Sequence, residues 1–159
     1  MYKNSGFAKS AKNALSGLWY AIKTERNLRF HISVANLICV FSYFYRLSST
    51  EWAVLFLTIL LVISAEVINT AIERTVDTAT DKICESAKIA KDTSAAATLL
   101  CAVFSVIIGI FLFGDLEKIS FALNLLFKTA FSGILEFLIL FSILILNIWL
   151  LFFSGRNRR

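Results

Sequence analysis

Three acids and an amide, Glu66, Asn69, Glu73 and Asp77, recur at i, i+3, i+7 and i+11 within the stretch Ser64 to Asp77. At roughly 100° per residue they fall within about a quarter turn of one helix face. The stretch begins inside a long apolar run and ends outside it, so the stripe leads from water into a membrane. An ionisable residue at that depth costs several kcal/mol unless it is partnered or hydrated. Such a stripe can act as polar glue between helices. It can also bring a metal and a base to a substrate dissolved in the bilayer. Carboxylate oxygens together with substrate phosphates are the usual surroundings of magnesium. Phosphoryl transfer asks mainly for positioning, charge neutralisation and a base near the attacking hydroxyl. A lipid alcohol carries its hydroxyl at the membrane surface, and a carboxylate slightly below that surface, partly out of water, is a stronger base than a solvated one. Glu66 sits deepest in the stripe. Glu25, the pair Lys91-Asp92 and the basic Lys9 and Lys12 converge on the same leaflet.

The elements that must position these groups are set by composition. Of 159 residues, 58% are hydrophobic and none is proline, and the mean hydropathy is +0.74. These values exclude an ordinary soluble domain and point to an all-α integral membrane protein. The net charge of +5 could suggest nucleic acid, but its placement in loops between apolar runs assigns it to the membrane surface. Cys39, Cys84 and Cys101 show no metal-ligand spacing, and packing is the expectation for them. Met1 to Arg29 lacks the apolar core and cleavage site of a signal peptide, so the spans themselves are expected to drive insertion.

From Gly6 to about Phe30, Phe7, Ala11, Ala14, Leu15, Leu18, Trp19 and Ile22 share one helical face while Lys9, Lys12, Lys23 and Arg26 take mostly other directions. This pattern predicts a basic amphipathic helix over 6–30 lying in the membrane interface, with Asn4 or Ser5 as its cap. A first span over 32–47 ends in Phe41, Tyr43, Phe44 and Tyr45, an aromatic cluster suited to an interfacial belt. Ser49 or Thr50 is the candidate cap of a second span over 52–72, and 73–92 reads as a charged helical extension or loop. A third span over 93–113 opens with Ser94, Ala95, Ala96 and Ala97, small residues that let helix backbones approach closely. Ile119 to Phe127 reads as an interfacial segment, and a fourth span covers 134–153, followed by a basic tail.

Lys and Arg number six before the first span, one after it, four between the second and third, two between the third and fourth, and three at the C-terminus. Thirteen therefore lie on one side and three on the other. The positive-inside rule places both termini and the 73–92 segment in the cytoplasm, so the acidic stripe opens toward ATP and magnesium.

The block Glu66-Val67-Ile68-Asn69-Thr70-Ala71-Ile72-Glu73, followed by Asp77 and Lys91-Asp92, resembles the signature of the small prokaryotic integral-membrane lipid kinases, the diacylglycerol kinase and undecaprenol kinase family. The resemblance covers roughly Gly6 to Phe113 and makes 1–115 a kinase domain, with 116–159 a C-terminal extension. It implies an interfacial helix and three spans, assembled as a homotrimer with sites shared between subunits in the bacterial inner membrane. It further implies that Glu66 is the general base, that Glu25 and Glu73 bind the Mg2+ that rides with ATP, and that Asn69 positions phosphates or base beside the lipid. Lys91 would contact phosphate, Asp92 the nucleoside, and Asp77 would support the site, with Lys9 and Lys12 as looser matches on the ATP side. The block Glu25-Arg26-Asn27-Leu28-Arg29-Phe30-His31 resembles the undecaprenol branch, and physically it reads as a cationic collar at headgroup level. His31 reads as an interfacial packing residue.

The fourth span has no counterpart in a three-span kinase, and Glu136 and Asn147, eleven residues apart on it, read as a helix-packing seam. Gly109 to Gly114 has the glycine spacing of a phosphate-binding loop, yet Asp115-Leu116 follows where Lys and Ser/Thr are required. The arginine tail is what topology demands and is no nucleic-acid site. Phosphorylation of a membrane alcohol, undecaprenol before diacylglycerol, is the expected function. A small transporter or structural bundle, in which the buried acid relays protons or holds a cation, is the rival reading.

Overall fold

A computed structural model of the chain describes residues 6–79 and 84–152. Among the described residues the regular structure is entirely helical: α1 (Phe7–Thr24), α2 (Arg26–Tyr45), α3 (Ser49–Ala79), α4 (Glu85–Phe113), α5 (Leu116–Ser132) and α6 (Ile134–Phe152). Helices α2, α3, α4 and α6 are long and apolar enough to cross a membrane, matching the four expected spans. Asn4, Ser5, Phe153 and the arginine tail lie outside the described residues; α1 begins after Gly6 without a side-chain cap.

The single helix expected over 6–30 is two helices. Glu25 leaves the helical region at φ −96° and ψ 116°, and this one residue turns the chain from α1 into the first span. Its N–H still donates to the Ala21 carbonyl at 2.8 Å, and its carbonyl accepts from Arg29 N–H at 3.3 Å. Both helices thus close their last and first turns on it. Arg29 completes the joint. Its guanidinium donates to the carbonyls of Ile22 at 3.1 Å and Lys23 at 3.0 Å, which belong to the last turn of α1 and have no acceptor role within that helix. The collar reading is therefore corrected at Arg29, which is buried, whereas Arg26 is exposed. The reason is geometric: the kink at Glu25 brings the end of α1 over the first turn of α2.

Helices α3 and α4 form an antiparallel hairpin, joined along its inner half by polar contacts. Thr98 meets the Ala65 carbonyl and Ser94 meets Asn69, while Lys91 pairs with Asp77. Of the small residues opening the third span, Ser94 faces α3 and is buried, while Ala95, Ala96 and Ala97 are exposed in the single chain. The first turn of α3 is closed by a capping box one residue earlier than expected. The Ser48 hydroxyl accepts from Glu51 N–H at 3.3 Å, and Glu51 Oε2 accepts from Ser48 N–H at 2.7 Å.

At the outer end the aromatic cluster is core rather than belt. Phe44 and Tyr45 are buried with Leu47, Leu55 and Ala122, and Phe113 packs against Phe41 and Tyr45 at ring separations of 5.6 and 5.1 Å. Only Tyr43 of the four is exposed, because α3 and α5 cover the remaining faces of α2. Helix α5 is the expected segment over 119–127, lengthened at both ends and capped by Asp115, whose carboxylate accepts from the N–H groups of Glu117 and Lys118. Helix α6 packs on α2 and α5. Asn147 is buried there but Glu136 is exposed, so the two do not form one seam. Gly109 lies inside α4 and Gly114 caps it, which rules out a phosphate-binding loop at that position.

Candidate active site

The inner half of α3 carries the polar stripe because its apolar pattern is interrupted on one face only, the face that α2 and α4 approach. Glu66 is 4% exposed. The Thr70 hydroxyl bonds back to the Glu66 carbonyl at 2.9 Å. Across from it on α2, His31 brings Nε2 to 3.3 Å from Glu66 Oε1.

One turn further toward water, Asn69 is held from both ends. Its Nδ2 donates to Glu73 Oε1 at 3.0 Å, and its Oδ1 accepts from the Ser94 hydroxyl at 2.6 Å. The amide is thereby fixed between a carboxylate on its own helix and a hydroxyl on α4, and Glu73 Oε2 is left to other partners. Two turns beyond, Asp77 and Lys91 form an ion pair that ties the ends of α3 and α4. Asp92, the next residue on α4, is exposed.

Glu25, the residue expected to join this group from the first helix, is half-buried at the α1–α2 joint. Lys9 and Lys12 do not join it within one chain. They are exposed and stand about 24 and 20 Å along α1 from Glu25, at 1.5 Å per residue.

Among the described residues no three His, Cys, Asp or Glu side chains make a protein-only metal cage. The polar stripe offers instead Glu73, one of whose carboxylate oxygens is held by Asn69, and the α1–α2 joint offers Glu25. Magnesium bound with a nucleotide takes one or two carboxylates and fills its remaining positions with water and phosphate oxygens, so this donor set suits an ion that arrives with ATP. On the membrane side, a cleft of about 80 Å³ runs between α2, α3 and α4. Ile38, Leu55, Val62, Ile108 and Phe113 are among its apolar walls, and His31 stands at its inner end.

Three contacts around the site are not legible in the sequence. There Ser94 reads only as a small residue, His31 only as packing, and Arg29 only as charge. A signal existed for Ser94: it lies on the α4 face, three residues after Lys91, that must meet the stripe if α3 and α4 pair antiparallel.

The fold and its inner polar cluster are those of an enzyme acting on a substrate held in the bilayer. The chain belongs to the prokaryotic diacylglycerol kinase family, whose family model matches residues 12–113. It is thus a multi-pass membrane lipid kinase that uses ATP, and the transporter reading falls. An undecaprenol kinase of Bacillus subtilis is 44% identical over 107 residues, which is 67% of this chain and 87% of that protein. A diacylglycerol kinase of Synechocystis sp. is 41% identical over 101 residues, 63% of this chain but only 58% of that protein. No solved structure matches the chain. The family match ends at Phe113, the last residue of α4, so α5 and α6 lie beyond it.

Proposed function

We propose that the protein phosphorylates undecaprenol on the cytoplasmic face of a bacterial inner membrane. The observation that carries this is the buried Glu66 carboxylate, 3.3 Å from His31, which lines the apolar cleft, and one turn from the paired Asn69 and Glu73 on its own helix. A base in that position meets a hydroxyl from the bilayer and a phosphate from water at one point. The lipid oxygen attacks the γ-phosphorus while its proton passes to Glu66. The bond from that phosphorus to the β,γ-bridging oxygen breaks, and ADP leaves with the electron pair.

Each neighbour then has a task. Glu25 and Glu73 hold Mg2+, which supplies neutralisation of phosphate charge when bound. Asn69, fixed by Glu73 and Ser94, presents its amide edge to the reacting groups. Lys91 contacts phosphate and is held in place by Asp77, and Asp92 reaches the nucleoside. Lys9 and Lys12, distant from the stripe of their own chain, serve a site on a second subunit in a homotrimer. Residues 1–115 form the kinase unit, and 116–159 are an accessory extension. The similarity to a relative named undecaprenol kinase supports the polyprenol over diacylglycerol, which the second relative's name favours.

Purified protein in lipid, with labelled ATP and magnesium, decides the matter when undecaprenol and diacylglycerol are compared at matched concentration. Preferential labelling of undecaprenol is the expected result. Preference for diacylglycerol would keep the mechanism and overturn the substrate. Replacing Glu66 by Gln should abolish transfer with assembly intact, and full activity in that variant would refute the base.

A further inference from the structure

We propose that His31 is a positioning residue for Glu66, and this rests on the reading of Glu66 as the base. A glutamate has three side-chain torsions, and a carboxylate at the edge of an apolar cleft keeps a productive orientation only if something holds it. Among the described residues, the side chain that meets the Glu66 carboxylate is His31, with Nε2 at 3.3 Å from Oε1. Thr70 bonds to the Glu66 backbone and leaves the side chain untouched.

With the proton of the neutral imidazole on Nε2, a small rotation of the ring from this 3.3 Å approach lets it donate to Glu66 Oε1 and leaves Oε2 for the incoming hydroxyl. The ring is itself constrained. Its side chain is only 23% exposed, and Phe30 stands edge-on to it with ring centroids 5.7 Å apart. It is carried on the second turn of α2, the helix whose start is pinned by Arg29 and Glu25. His31 also lines the inner end of the apolar cleft. His31 is the member of the cleft's lining that stands beside Glu66, so a lipid alcohol lying in that cleft reaches the carboxylate past the ring, and the imidazole marks the depth at which its hydroxyl must stop. Interfacial packing, the reading from sequence, explains the burial of the ring but not why its Nε2 stands 3.3 Å from the carboxylate.

The test uses two amides that differ by one methylene. His31→Gln places an N–H close to where Nε2 stands, whereas His31→Asn withdraws it toward the ring's Nδ1 position. Steady-state kinetics of both variants and of Glu66→Gln are measured in the same lipid. His31→Asn should lower kcat by roughly 10- to 100-fold, the worth of one hydrogen bond to a charged group. KM for ATP and for the lipid should stay within about twofold, since only the reacting geometry is lost. His31→Gln should recover most of kcat. Wild-type kcat in His31→Asn overturns the proposal, as does an equal loss in both variants, which would mean that the ring acts by shape alone. The base reading fails separately. Full activity in Glu66→Gln removes it and this proposal with it, while an inactive Glu66→Gln beside a fully active His31→Asn removes the positioning role alone.

Discussion

Arg29 offers the sharpest test of how the sequence builds the site. Its guanidinium makes two charge-assisted hydrogen bonds, 3.1 and 3.0 Å long, to the final carbonyls of α1. Such bonds contribute about 1.5–3 kcal/mol each. The joint lies at the membrane surface, where water can solvate part of what is lost, so the lower end of the sum, about 3 kcal/mol, is the appropriate figure. That corresponds to a change of roughly 100-fold in the ratio of docked to undocked α1. Replacing Arg29 by Gln removes both bonds and should release α1 without unfolding the bundle, because among the described residues α1 touches only α2 and α3. Hydrogen exchange in lipid nanodiscs reads this directly. Amides of 7–24 should exchange faster by about that factor while those of α3 and α4 hold their protection. Arg29→Lys should fall between, since an ammonium keeps the charge but not the planar fork. Kinase activity should fall with α1 docking, because Glu25 loses its place when the joint opens. Unchanged exchange over 7–24 in Arg29→Gln would refute the view that this side chain fixes the joint.

Three further outcomes follow from the contacts. Ser94→Ala deletes the 2.6 Å bond to Asn69 Oδ1 and should destabilise the protein by about 1 kcal/mol while raising KM for ATP several-fold; an unchanged KM would show that Ser94 does not orient the amide. Asp77→Asn breaks a pair whose side chains are 38% and 55% exposed, so thermal unfolding should register less than about 1 kcal/mol even where activity drops, and a larger loss would mean that the pair is screened from water. Asn147→Leu should leave stability equal or raised by up to about 1 kcal/mol, since the amide is 3% exposed and its Oδ1 meets no donor among the described residues; a clear loss in unfolding midpoint would reveal a donor in the bilayer.

What the sequence made legible is what local periodicity controls. The stripe Glu66, Asn69, Glu73, Asp77 was visible because helical spacing alone puts those side chains on one face, and the four spans were visible because a bilayer demands about 20 apolar residues. The contacts that give the stripe its geometry come from other helices, and no periodicity encodes which helix will face which. Ser94 belongs to the site only because α4 returns antiparallel to α3. Arg29 turns inward only because the chain bends at Glu25, a residue whose neighbours give no sign of a break. The outer aromatic cluster misled for the same reason: as a sequence it suits an interface, but α5, lying beyond the family match, folds back over it. Ser48, not Ser49 or Thr50, caps α3 because Glu51 stands three residues after it, the spacing that closes both bonds of a capping box.

The fourth span bears on assembly through the face it occupies. Helix α6 lies on α2 and α5, and touches neither strand of the α3–α4 hairpin closely. The hairpin keeps broad apolar faces open, Leu57, Leu60 and Leu61 on α3 with Leu99, Leu100 and Val103 on α4. In lipid such faces need no partner, and what draws helices together is close backbone approach at small residues. Ala95, Ala96 and Ala97 supply it, exposed at the same depth as the acidic stripe. Helix α6 thus occupies the side of the bundle away from these residues, and the proposed trimer, if its subunits meet beside the site, loses none of this surface to α6. Helix α2 gains by the same arrangement: braced by α6 on one side and α3 on the other, it holds His31 and the Glu25 joint against a hairpin that remains free to meet a second copy.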